Sequence, residues 1–286
     1  MHHGAPADEA EFAARIEGAA AVILGWGMPD GVLRGAKALK IVAFTGIGAA
    51  NHVNLDLATR LGVTVCNTPG YADKTVAEHT LALMLAVARR IPQLDADTRA
   101  GGWTRDHEGF DLNGQRLGLI GLGGIGTRVA GLGRAFGMEV TAWTARPSPE
   151  RAAAAGVSFA PLETVLSQSD IVSLHLALTP DTEGILTPER LGLLKDGAVL
   201  INTARGELVD EAAFLAALEA GRISAGLDVF HQEPLEPDHP LRHLPNVVLT
   251  PHTGYNTPAA LFAIYNLAVQ AVETYFAGQP VNVVNP

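Results

Sequence analysis

Short apolar runs alternate with amphipathic stretches along most of the chain. The runs over 20–26, 39–44 and 62–66 have strand length, and helical patterns over 8–18 and 54–61 separate them. Such alternation predicts parallel strands covered on both faces. In 8–18, Phe12, Ile16 and the alanines share one side of the predicted helix. A longer helix over 75–90 is apolar nearly all round, with Val76, Ala77, Leu81, Leu83, Met84, Leu85 and Val87, the pattern of a helix buried between layers. Pro92 then breaks that pattern, and Gly101-Gly102 marks a loop. A second unit begins near Gly114. Its strands are predicted over 116–120, 138–143, 157–159, 171–174, 198–202, 224–229 and 247–249, with helices over 127–136, 149–155, 162–167 and 211–219. Six or seven strands complete a doubly wound sheet. The first group lacks the usual opening strand, so either the chain starts late or that sheet is one strand short. The segment 233–245, rich in proline and histidine, is a surface loop, and a last helix covers 258–276.

One junction stands out. The strand 116–120 runs straight into Gly121-Leu122-Gly123-Gly124-Ile125-Gly126, a helix follows, and a second strand begins at Met138. Glycine is common here, 31 residues in all, so G-x-G-x-x-G alone would be weak. Between a strand and a helix it predicts a dinucleotide site. Gly121 permits the tight turn, Gly123 lets the backbone approach a pyrophosphate, and Gly126 lets helix and strand pack closely. Gly124 and Ile125 complete the glycine turn, and the N-terminus of the helix that follows offers free N–H groups that favour phosphate. An NAD site usually carries Asp or Glu at the end of the second strand, about 20 residues on. This chain has Trp143-Thr144-Ala145-Arg146 there. With no carboxylate to repel a 2′-phosphate, and with Thr144 and Arg146 able to bind one, the reading leans to NADP over NAD.

Composition narrows the remaining classes. Apolar residues make up 48% of 286, charged residues 17%, and the formal charge is −10. That balance suits a globular protein with an ample core and argues against a nucleic-acid surface. No secretory signal or membrane-length apolar run is visible, so the expectation is a cytoplasmic protein without a membrane partner. The single cysteine, Cys66, reads as a buried small hydrophobe. Met1-His2-His3 reads as a tag remnant.

Doubly wound sheets bind ligands beyond the carboxyl ends of their strands, so polar residues just after strand ends are the candidates for chemistry. Arg205, in Thr203-Ala204-Arg205-Gly206, is placed to grip a carboxylate with two hydrogen bonds, or to form a structural ion pair. His252, in Thr250-Pro251-His252-Thr253-Gly254, is a proton carrier or a structural loop residue. Glu233 lies in the proline-rich loop; in contact with His252 it would favour the imidazolium. His175, at another strand end, reads as structural or as a cofactor contact. His79, inside the apolar helix, reads as a satisfied core histidine. His231, His239 and His243 crowd one loop without a metal-ligand spacing, so no metal is expected.

Taken in order, Asn67-Thr68-Pro69-Gly70, Thr75-Val76-Ala77-Glu78-His79, the glycine turn, Asn202-Thr203-Ala204-Arg205-Gly206, Gly226-Leu227-Asp228-Val229-Phe230, Glu233-Pro234 and Thr250-Pro251-His252 resemble the D-isomer-specific 2-hydroxyacid dehydrogenase family, in a form like glyoxylate/hydroxypyruvate reductases. The resemblance runs from about Leu39 to the C-terminus. It implies an α/β fold of two Rossmann-like doubly wound parallel-sheet domains with a cleft between them. The dinucleotide domain (91–257) is inserted into a smaller flavodoxin-like substrate domain (1–90 and 258–286), and the protein is a homodimer. It implies that Arg205 binds the substrate carboxylate, that His252 is the acid/base and that Glu233 orients it. Main-chain N–H groups around Thr45, Gly46 and Ile47, beside Phe44, would hold the carboxylate. Asp228 would bond the nicotinamide amide, with Thr75, His175, Thr203 and Gly254 also near the cofactor.

Two departures from the family pattern matter. Thr144 stands where an acid is usual, which supports NADP, and the segment 48–54 is one residue longer than usual and lacks its aspartate. Glu233 disfavours a formate-dehydrogenase reading, because hydride abstraction from formate needs no proton relay. The expected activity is hydride transfer between a nicotinamide cofactor and C2 of a small 2-oxo or D-2-hydroxy acid. Trp26, Met28, Phe44, Ile47 and Tyr255 are the expected pocket, mostly apolar and favouring an unphosphorylated acid. The alternative is a non-enzymatic, NAD(H)-sensing, corepressor-like binding protein that keeps the trio idle.

Overall fold

A computed structural model describes residues 4–106 and 108–285. The proposed tag remnant, Met1-His2-His3, lies outside the described residues. The chain forms two compact units, one of residues 1–72 with 257–286 and one of residues 73–256.

The first unit opens with helix α1 (Glu9–Arg15), started by the Asp8 side chain, which accepts from the Glu11 N–H. Strand β1 (Ala21–Leu24), helix α2 (Asp30–Gly35), strand β2 (Ile41–Phe44), helix α3 (Leu55–Arg60) and strand β3 (Thr64–Cys66) follow. The three strands are parallel, in the order β1-β2-β3. Alternation along β2 builds two apolar layers. Val42 and Phe44 pack with Phe12, Leu33 and Leu57, whereas Ile41 and Ala43 pack on the opposite face.

The second unit begins with helix α4 (Asp73–Ala88). Arg90 turns the chain through a left-handed conformation (φ 50°), and helix α5 (Ile91–Arg99) begins at once. Pro92, expected only to break a helix, starts a new one, because proline lacks an N–H that a first turn leaves unpaired anyway. Then come β4 (Arg116–Ile120), α6 (Gly124–Ala135), β5 (Glu139–Trp143), α7 (Pro149–Ala155), β6 (Ser158–Phe159), α8 (Leu162–Gln168), β7 (Ile171–Leu174), α9 (Pro188–Gly192), β8 (Val199–Asn202), α10 (Glu211–Glu219), β9 (Ser224–Leu227) and β10 (Val247–Leu249). All seven strands are parallel, in the order β10-β9-β8-β7-β4-β5-β6. The winding reverses between β4 and β7, which puts the switch point beside the glycine turn.

Leu117, Leu119, Val199 and Ile201 pack with Leu83 and Met84 of α4 and Val129 of α6. Ile120, Val172 and Leu200 point the other way, to Leu166 of α8 and Phe214 of α10. Helix α11 (Pro258–Phe276) returns to the first unit, where Ala268 and Ala271 cover Ile41 and Ala43. No helix among the described residues is long and apolar enough to cross a membrane.

The boundary expected at 90/91 lies instead at 72/73. Helix α4 buries Leu83 and Met84 against the seven-stranded sheet, so it belongs to the second unit. Met28 and Phe44, expected to line a pocket, are 4% and 5% exposed and belong to the core of the first unit. Cys66 is fully buried, and burial pushes its thiol above the ordinary value.

Candidate active site

The glycine turn has the geometry its spacing requires. Gly121 has φ 102°, and a Cβ there would strike the backbone carbonyl of His175 at the end of β7. A Cβ at Gly126 would strike the carbonyl of Gly121. Gly123 has open space around it and caps α6 without a side-chain bond, and a Cβ at the next residue, Gly124, would strike the Asp73 carboxylate. This cradle fits a dinucleotide pyrophosphate. At the end of β5, Arg146 is exposed. Its carbonyl accepts from the Arg151 guanidinium, which also donates to the Leu122 carbonyl at 2.8 Å. Arg151 thus ties the glycine turn to the loop after β5. Across the switch point, His175 bonds Ser173 Oγ through Nε2 at 2.9 Å, and burial drives its imidazole down to about 3.

The end of β8 makes a clipped turn. Asn202 is 2% exposed; its amide N–H donates to the Arg205 carbonyl at 2.8 Å and its oxygen accepts from the Ala204 N–H at 3.0 Å. Thr203 Oγ1 lies 3.0 Å from Thr80 Oγ1. Arg205 Nη1 donates to the Ala204 carbonyl at 2.6 Å. Next to it, Gly206 is buried, and a Cβ there would strike the backbone of Phe230 and His231. Two chain segments therefore meet backbone to backbone at this glycine.

The second of those segments carries Glu233. Its Oε1 accepts the Phe230 N–H at 3.0 Å and its Oε2 lies 2.6 Å from His252 Nδ1. Burial pushes the Glu233 carboxyl up, but the His252 bond, the Phe230 N–H and the His252 and Arg205 charges outweigh it and hold it below the ordinary value. His252 sits in the left-handed region, with φ 52°.

What fixes that conformation is Asp228, 2% exposed. Its Oδ1 accepts from Thr250 Oγ1 at 2.6 Å and the Thr253 N–H at 2.9 Å, and its Oδ2 accepts from the Gly254 N–H at 2.8 Å. Its backbone carbonyl accepts the His252 N–H at 2.8 Å. Burial raises its carboxyl, but bonds from His79, Thr250, Thr253 and Gly254 prevail, and it stays ionised below the ordinary range. The carboxylate expected to bond the nicotinamide amide is also tied by these bonds to the turn that carries His252.

Other expected positions lie elsewhere. In the first unit, the Thr45 N–H bonds the Leu24 carbonyl at 2.8 Å, and the Gly46 N–H bonds Thr68 Oγ1 at 2.9 Å. Of the three N–H groups expected to hold a carboxylate, only that of Ile47 is left without an internal bond among the described residues. Thr75 lies in the first turn of α4. His231 Nε2 bonds the Val209 carbonyl at 2.9 Å, and His239 lies 3.5 Å from Glu211.

Residues 81–254 match the family model described as D-isomer specific 2-hydroxyacid dehydrogenase, NAD binding domain. The chain belongs to the D-isomer specific 2-hydroxyacid dehydrogenase family. The span that matches this dehydrogenase family contains the glycine turn, Arg205, Glu233 and His252. The chain is 40% identical over 257 residues to a D-3-phosphoglycerate dehydrogenase of Archaeoglobus fulgidus, covering 89% of itself and 49% of that protein, so it spans about half the relative's length. It is also 40% identical over 264 residues to a glyoxylate reductase of Aeropyrum pernix, covering 89% of itself and 78% of the relative. The TT0316 protein of Thermus thermophilus superposes with a TM-score of 0.90 at 41% identity, covering 99% of this chain and 92% of the other.

Sequence reasoning about this family member missed Arg151 and the scaffold role of Asp228. The Ser148-Pro149 helix start placed Arg151 in a first turn, a signal that it could reach back to preceding carbonyls. For the inward carboxylate of Asp228 the sequence carried no signal.

Proposed function

We propose that this chain is an NAD(P)-dependent oxidoreductase that interconverts a small 2-oxo acid and its D-2-hydroxy acid. The observation that carries the reading is the 2.6 Å contact of His252 Nδ1 with a Glu233 carboxylate that the Phe230 N–H also holds. With Nδ1 engaged, Nε2 is the atom that carries the movable proton. His252 gives that proton to the substrate oxygen as it becomes an alkoxide, and Glu233 stabilises the ring during the transfer. Arg205, positioned by the Asn202 clip, takes the substrate carboxylate and steadies charge on the neighbouring oxygen. A dinucleotide bound with its pyrophosphate at the glycine turn would supply the hydride. Gly121, Gly123 and Gly126 shape that turn, and Thr144 and Arg146 accept a 2′-phosphate, so NADP is the preferred cofactor. Arg205 is the basic side chain beside the His252–Glu233 pair, which suits an unphosphorylated acid such as glyoxylate, hydroxypyruvate or pyruvate. As the family resemblance implies, the enzyme is a homodimer.

The test follows nicotinamide absorbance with NADPH and NADH against a panel of 2-oxo acids. Turnover favouring NADPH supports both parts of the reading. Turnover favouring NADH removes the 2′-phosphate assignment and keeps the enzyme. His252→Ala is expected to lower kcat by about 10²-fold or more while leaving dinucleotide Kd within twofold. Unchanged turnover in that variant removes His252 as the proton donor.

A further inference from the structure

Helix α4 reaches the turn that carries His252 through one side chain. His79 Nε2 lies 2.9 Å from Thr250 Oγ1 and 3.4 Å from Asp228 Oδ1. The direction of these bonds follows from proton counting. Ionised Asp228 can only accept, so the single hydroxyl proton of Thr250 goes to Oδ1 at 2.6 Å. Thr250 Oγ1 must then accept from His79, which places the proton of this imidazole on Nε2. The relay runs His79 Nε2–H to Thr250 Oγ1–H to Asp228 Oδ1.

From Asp228 the same carboxylate takes the N–H groups of Thr253 and Gly254, and its backbone carbonyl takes the N–H of His252. The His79 ring also lies over Gly254, where a Cβ would come within 3.1 Å of His79 Cδ2. His79 therefore meets both ends of the segment 250–254, by a hydrogen bond at Thr250 and by packing at Gly254. His252, between them, holds a left-handed backbone that persists only when the surroundings enforce it.

We propose that His79 is a positioning residue for His252, acting through Thr250 and Asp228 to hold the 250–254 turn that aims the imidazole at Glu233. The inference rests on the reading of His252 as proton donor. Its first readout does not depend on turnover.

The experiment compares His79→Leu, which removes the donor, with His79→Gln, which supplies an amide donor near the Nε2 position. The NMR signal of the His252 ring Cε1–H, assigned by loss in His252→Ala, is recorded in the unliganded proteins at neutral pH. Expected is a displaced His252 signal in the leucine variant and a signal close to wild type in the glutamine variant. In turnover, kcat falls about tenfold in the leucine variant and recovers to within about threefold in the glutamine variant, while KM for the dinucleotide stays within twofold in both. If the leucine variant does not fold, Thr250→Val, which breaks the relay at its middle, decides by the same two readouts. A wild-type His252 signal and wild-type kcat in a folded His79→Leu or Thr250→Val protein would overturn the proposal. Absence of turnover in the wild type overturns the proposed reaction instead, and the NMR comparison still decides on His79.

Discussion

Two imidazoles at strand ends, His175 and His252, have opposite surroundings. His252 meets a carboxylate; among the described residues the His175 ring bonds a serine hydroxyl, and burial drives its imidazole down to about 3 from an ordinary 6.5. The folded protein therefore keeps His175 neutral where the unfolded chain takes up a proton. Stability from this residue is complete above pH 6.5 and is lost as pH falls from there towards 3. The limit is roughly 1.4 kcal/mol per pH unit. The low-lying carboxyls of Asp228 and Glu233 act in the same direction, but below the ordinary carboxylate range, so pH 7 against pH 5 isolates the histidine. His175→Asn is expected to lose less melting temperature than wild type between pH 7 and pH 5. Equal losses would show that His175 titrates alike in both states. The motifs made His175, Arg205, Glu233 and His252 legible because each follows a strand end. Asp228 was legible as a site residue but not in its direction, since an inward carboxylate depends on N–H groups 25 and 26 positions away in the chain.

At the scale of elements, the strand–glycine turn–helix of β4 and α6 could be read directly, because its demands are local: a positive φ at Gly121 and close approach at Gly126. Helix α5 could not, because a proline that ends one helix and a proline that begins the next look alike until the left-handed Arg90 separates them. Arg151 belongs to the same class of hidden features, since its partners Leu122 and Arg146 lie on two different connections. Arg151→Ala frees both connections at once. Dinucleotide KM is expected to rise about tenfold, the worth of one charge-assisted hydrogen bond, with kcat within twofold. Arg151→Lys, able to reach one carbonyl, should fall between. An unchanged KM in the alanine variant would mean that the turn holds its shape without the tie.

The whole molecule leaves apolar surface in water where a homodimer is expected. Helix α5 buries none of its residues, Ile91 is 52% exposed and Trp103, just beyond the helix, is 80% exposed. Light scattering after size exclusion is expected to give twice the 29.9 kDa chain mass, and Ile91→Glu with Trp103→Glu is expected to give single chains. A wild-type protein of one chain mass would rule the dimer out. Buried Gly206 also decides where this protein can change length. Because the Arg205 turn rests backbone to backbone on Phe230 and His231, the contact leaves no room for even a methyl group at position 206. Past Pro234 the chain is held again where Leu235, Leu241 and Leu244 pack on the core and Arg242 donates to the Leu235 and Glu236 carbonyls, while Pro237 and Asp238 between them are exposed. Insertions that distinguish one descendant of this protein from another are therefore expected to collect at Pro237-Asp238, while 205–206 and 230–233 keep one length.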